Sequence, residues 1–203
     1  MKKLLLSAFV ICLAGTSIAQ ESPLWMRHCA LSPDGTTIAF TYKGDIYTVP
    51  STGGRATQIT TNPAFDTEPV WSPDSKQIAF ASDRMGSLDV FVVSSEGGAP
   101  QRLTTHSGSE KPVAYKDNKH ILFTANIAPS AEDAGFPSGQ FQQVYEVAVT
   151  GGRPAMFSSM PMECISINKE GVMLYQDKKG YEDYWRKHQV SPIARDIWTY
   201  TPG

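Results

Sequence analysis

The sequence predicts an all-β chain of repeated, four-stranded antiparallel units, and three observations predict it. Helical periodicity is absent after the first nineteen residues. Short apolar runs alternate with turn signals. The chain also resembles itself at intervals of about forty residues. Ser32-Pro33-Asp34 returns as Ser72-Pro73-Asp74, and Ile78-Ala79-Phe80 returns as Ile121-Leu122-Phe123. Gly53-Gly54 returns as Gly97-Gly98 and Gly151-Gly152.

The elements are clearest in the second unit. Its first strand is read over Pro69 to Ser72. Pro73 presets φ for the turn that follows, and Asp74 holds nearby amides. The second strand is Gln77 to Ser82. The third is Asp89 to Ser94, with Val90, Phe91, Val92 and Val93. Gly97-Gly98 supplies the positive φ of a tight hairpin, and Gln101 to Thr104 is the fourth strand. Four strands in about 40–45 residues is the pattern of a β-propeller blade, favoured over a sandwich or a β-solenoid. The units span roughly 24–66, 67–109, 110–161 and 162–203. Unit four reaches only its third strand, so the expected fold is three blades and most of a fourth, the N-terminal piece of a longer polypeptide.

Residues 1–19 read as a cleaved signal peptide. Lys2-Lys3 is followed by an apolar run from Leu4 to Gly15, and Ser17 and Ala19 stand at the small-residue positions before Gln20. That run is too short to span a bilayer. Ile11 before Cys12 does not fit a lipidation site. The expected location is therefore periplasmic or extracellular, with no membrane attachment after cleavage.

Composition excludes several function classes. The formal charge is −2, from 18 Lys+Arg against 20 Asp+Glu, which argues against nucleic acid as a partner. Three Cys do not make a disulfide scaffold. Cys29 and Cys164 are read as equivalent positions of units one and four, matching Pro69 and Pro112. Three blades apart, they are too distant to bridge, and they read as small half-buried thiols. Neither a G-x-S-x-G elbow nor an H-E-x-x-H motif is present, and the four His lie in different units. No catalytic residue, cofactor or metal is expected. Asp34, Asp74 and Asp117 recur at equivalent turns and read as structural. Arg102 and Arg153 read as surface residues.

Two groups of residues are candidates for binding. His28, Glu68, Lys111 and Glu163 precede the first strands, which line the axial channel of a propeller, and they read as a mixed-charge ring near one mouth. Units three and four also carry insertions between strands two and three, at Ala128 to Gln140 and Asp177 to Arg195. The second is rich in aromatic and basic residues, with Tyr181, Tyr184, Trp185 and Arg186, and reads as a docking insert within a larger protein.

Trp71-Ser72-Pro73-Asp74 with Ile78-Ala79-Phe80, and Ser32-Pro33-Asp34-Gly35 with Ile38-Ala39-Phe40, resemble the repeats of TolB-like and tricorn-type propellers. The run Tyr181 to His188, followed by Ala194-Arg195-Asp196-Ile197-Trp198, is similar to secreted bacterial tricorn-like serine peptidases of the tail-specific protease superfamily. That resemblance implies a noncatalytic propeller that guides or gates peptides for a downstream catalytic domain. Its partners are then peptides or proteins, the rest of its own chain, and further copies of itself in a homo-oligomer. The alternative is a TolB-like periplasmic scaffold. A prolyl-oligopeptidase-type hydrolase, a third reading, needs an α/β-hydrolase domain downstream.

Overall fold

A computed structural model describes residues 25–127, 142–160, 162–168, 170–177 and 196–201. No helix occurs among them. Blade one consists of β1 (Arg27–Leu31), β2 (Thr37–Tyr42), β3 (Asp45–Pro50) and β4 (Thr57–Gln58). Blade two is β5 (Asp66–Trp71), β6 (Gln77–Ser82), β7 (Asp89–Ser94) and β8 (Gln101–Arg102). Blade three is β9 (Lys111–Tyr115), β10 (His120–Ala125), β11 (Gln143–Ala148) and β12 (Ala155–Ser158). Blade four shows β13 (Met162–Ile167), β14 (Met173–Asp177) and β15 (Ile197–Tyr200).

Each sheet is an antiparallel meander in chain order, four-stranded in the first three blades and three-stranded in the fourth among the described residues. First strands of successive blades pack together, β1 with β5, β5 with β9 and β9 with β13. This is the propeller expected from the repeats. In unit two the second and third strands match expectation. The first begins earlier, at Asp66, and the fourth ends at Arg102.

The turns form as the residues require. Ser72 Oγ donates to Asp74 Oδ1 at 2.6 Å and accepts the Gln77 N–H at 2.9 Å. Ser32, Asp34 and Thr37 repeat this arrangement at 2.6 and 3.0 Å. Hydrogen bonds from Ser32 and Thr36 hold the Asp34 carboxyl below its ordinary value, and Ser72 does the same for Asp74. At Gly97 and Gly98 φ is 90° and 122°, a conformation that L side chains rarely adopt.

Strand alternation sends each blade's side chains to two different neighbours. From blade two, Ile78, Phe80, Phe91 and Val93 pack with Ala39, Ile46 and Ile59 of blade one. Ala79, Val90, Val92 and Leu103 pack the other way, against Ile121, Phe123, Tyr145 and Val147 of blade three. Leu122 and Val144 of blade three then meet Met162, Ile165 and Met173 of blade four. The core is therefore a series of interblade junctions. An aromatic pair recurs within the blades: Phe80–Phe91 at 5.9 Å and Phe123–Tyr145 at 5.7 Å, both stacked.

Candidate functional site, the first strands and the interblade clefts

The structure brings together two of the four residues read as a ring. Lys111 Nζ lies 2.7 Å from Glu68 Oε1, bridging blades three and two. Both side chains are partly exposed, at 35% and 24%. His28 is exposed on β1, and Glu163 lies on β13 opposite Gln176. Tyr181, Tyr184, Trp185 and Arg186 lie outside the described residues, as does the insertion of unit three.

The four ring residues occupy two successive positions of the strand. Every first strand is bulged against its second strand. His28 and Glu68 are bulge residues in the left-handed region, with φ of 51° and 55°. Their counterpart in blade four is Cys164, with φ of 52°. Lys111 and Glu163 stand one residue earlier, where blades one and two have Arg27 and Thr67. Blade three has Pro112 at the bulge position. Its ring forbids positive φ, so Pro112 keeps its pairing with Phe123 and Val113 is the unpaired residue.

This register corrects the reading of the cysteines. Cys164 corresponds to His28, and Cys29 corresponds to Pro69. Both thiols are free, and both are exposed instead of half-buried.

The junctions also bury charge that the apolar repeat pattern does not announce. Between blades one and two, Asp66 is completely buried, and its N–H donates to the Gly44 carbonyl at 2.7 Å. One Arg84 Nη2 bridges both Asp66 oxygens at 2.9 Å, while Arg84 Nε donates to Ser82 Oγ at 2.8 Å. The guanidinium carbon sits 4.5 Å from the Phe91 ring centre and 5.6 Å from that of Phe80. Asp45 completes the cluster from blade one, accepting from Thr60 Oγ1 at 3.2 Å and Gln58 Nε2 at 3.0 Å. Burial raises the Asp45 carboxyl above its ordinary value, and the Asp66 charge adds to the rise.

The same positions recur 44 residues later. Glu110 replaces Asp66, is completely buried, and donates its N–H to the Leu88 carbonyl at 2.7 Å. Asp89 replaces Asp45, and Thr104 replaces Thr60, accepting the Val90 N–H at 2.9 Å. Arg102, on the strand paired with β7, lies 2.8 Å from Asp89 Oδ2. It is therefore part of an interior charge cluster and not a simple surface residue. Neither Glu110 oxygen makes a well-formed hydrogen bond among the described residues, although the Thr104 hydroxyl and the His106 amide lie close enough to act on it. Burial is the main reason the Glu110 carboxyl sits above its ordinary value, with the Thr104 hydroxyl opposing the shift and Asp89 reinforcing it.

An open cleft marks each of these junctions. The first, about 340 Å³, is lined by Thr60, Thr61, Arg84, Ala99 and Pro100 among others. The second, about 450 Å³, is lined by Thr105, His106, Glu110, Ile127, Tyr145 and Arg153 among others. No cluster of His, Cys, Asp and Glu able to hold a metal occurs among the described residues. No helix among them is long and apolar enough to cross a membrane.

Sheets in chain order, bulged first strands and interblade cores define a β-propeller domain. The family model described as the tricorn protease N-terminal beta propeller domain matches residues 23–203, and the chain belongs to that family. It is 39% identical over 77 residues to tricorn protease homolog 1 of Streptomyces coelicolor, covering 38% of this chain and 7% of that protein. It is 32% identical over 108 residues to the uncharacterized peptidase YuxL of Bacillus subtilis, covering 47% and 16%. The chain thus spans less than a fifth of these curated relatives. Among solved structures, the tricorn protease superposes with a TM-score of 0.65 at 16% identity, over 89% of this chain and 18% of that one. A putative TolB from Agrobacterium tumefaciens gives 0.57 at 24% identity, over 76% and 57%.

Proposed function

We propose that this chain is the noncatalytic propeller of an exported tricorn-like serine peptidase and guides or gates peptides for a catalytic domain elsewhere in the protein. Family membership supports the peptidase context. Residues 1–19 support export through the layout of a signal peptide. The observation that carries the guiding role is the Glu68–Lys111 pair. It places opposite charges on adjoining first strands, the strands that border the axis of a propeller. Peptides carry charged termini and side chains, and charged, low-dielectric walls steer such ligands.

The test uses the full-length protein with Glu68→Gln and Glu163→Gln together. Turnover is measured on peptide pairs that differ only in charge. Guidance predicts that kcat/KM for cationic peptides drops severalfold while neutral peptides change little, and that added salt shrinks the difference. Unchanged kcat/KM for both peptide types rules the role out.

A further inference from the structure

We propose that the cleft between blades two and three binds a guanidinium group, taking an arginine side chain of a peptide or protein into the place that Arg84 fills one blade earlier. The molecule itself supplies the comparison. Arg84 leaves the end of β6, crosses the stacked Phe80–Phe91 pair and neutralises a fully buried acid. Blade three keeps the acid, as Glu110, and the stacked pair, as Phe123–Tyr145. Ile127 occupies the position of Arg84, two residues beyond the end of β10, and packs against the apolar core. The Ser82 hydroxyl that orients Arg84 has become Ala125. Blade three thus holds the receptor half of an arginine site without the arginine.

The remaining geometry fits that occupant. Glu110 lines the cleft, and neither of its oxygens makes a well-formed hydrogen bond among the described residues, although the Thr104 hydroxyl and the His106 amide act on it. Arg102 lies 2.8 Å from Asp89 Oδ2, whereas Glu110, which faces Asp89, has no ion pair among the described residues. The cleft is larger than its counterpart, about 450 Å³ against 340 Å³. A planar guanidinium satisfies two carboxylate oxygens at once and stacks on an aromatic face, which an ammonium does less well. Arg153 stands where the other cleft has Ala99, but it is exposed, so water screens its repulsion.

This inference concerns binding to the propeller alone and does not rest on the peptidase reading. The full chain is titrated with N-acetyl-arginine amide, its lysine analogue and its uncharged citrulline analogue, and the melting temperature is followed. The expected result is a saturable upward shift with arginine, a smaller one with lysine and none with citrulline. Glu110→Gln abolishes the arginine shift. Ile127→Arg also abolishes it, because the new side chain fills the site, and this variant melts higher than the parent without ligand. Should Glu110→Gln fail to fold, Ile127→Arg carries the test. Equal shifts with arginine and citrulline, no shift with any probe, or an arginine-selective shift that survives in either folded variant overturns the proposal.

Discussion

The junction between blades one and two and the junction between blades two and three are built on one plan but handle buried charge differently. In the first, Asp66 is neutralised by Arg84, which also caps an aromatic pair. In the second, Glu110 is buried to the same degree, with Ile127 where the arginine stands. A third solution appears between blades three and four, where the corresponding residue is Met162, completely buried and apolar. The series teaches that the repeat conserves backbone and packing while the buried polar position is free to change. Its middle member carries the energetic cost, because a buried acid with no cation paired to it among the described residues is worse placed than either an ion pair or a methionine.

The largest effect is expected from making the first junction resemble the second. Arg84→Ile strands the fully buried Asp66 and should cost about 3–5 kcal/mol in urea unfolding of the full chain. Adding Asp66→Met, the solution of the third junction, should recover most of that loss. A double variant as unstable as the single one breaks the comparison.

A smaller effect of opposite sign is expected at the second junction. Glu110→Met removes the buried carboxyl and should stabilise the chain by about 1–3 kcal/mol at neutral pH. The gain depends on pH. Below 4.5, the ordinary glutamate value, the carboxyl is protonated whether folded or unfolded and contributes no pH-dependent cost. Above it, the unfolded carboxyl ionises, while burial, reinforced by Asp89 and opposed by Thr104 and the His106 amide, keeps the folded one protonated up to its raised value. Stability therefore falls as pH rises from the ordinary value to the raised one, and then levels. Glu110→Met should remove that slope, and an unchanged pH profile counts against the assignment.

The smallest effect sharpens the same contrast with neutral groups. Trp71 Nε1 donates to the Ala30 carbonyl at 2.9 Å across the first junction. The equivalent Tyr115 is buried with no partner for its hydroxyl among the described residues, and burial pushes its pKa upward. Tyr115→Phe should be neutral or stabilising by up to about 1 kcal/mol, whereas Trp71→Phe should lose about 1–3 kcal/mol. Matching losses at the two sites remove the distinction.

Much of the architecture was legible in the sequence because it depends on local chemistry. Ser72-Pro73-Asp74 and Gly97-Gly98 announce their turns through a side-chain acceptor and a positive φ, both properties of a few adjacent residues. The first strands were harder to place. Their bulge obscures strict alternation, and unit three has five residues between Tyr115 and Ile121 where unit two has six between Trp71 and Ile78. That one-residue difference put Lys111 level with Glu68 and Cys164 level with Cys29. The Asp66–Arg84 and Asp89–Arg102 pairs escaped notice although Asp66 and Glu110, or Asp45 and Asp89, recur at a step of 44. Aligning polar repeats as carefully as apolar ones was the available signal.

By itself, the sequence determined the all-β class, the four repeated units, their turns and the resemblance to tricorn-type propellers. The first three follow from short-range sterics and hydrophobic period, which a linear reading preserves, and the resemblance rests on the repeated motifs themselves. Only the tertiary structure decided which charges meet. Lys111 finds Glu68 from 43 residues away, and Glu110 reaches full burial with no ion pair to it among the described residues. Such encounters depend on how one blade seats against the next, where packing sets burial and burial sets the energy of a charge.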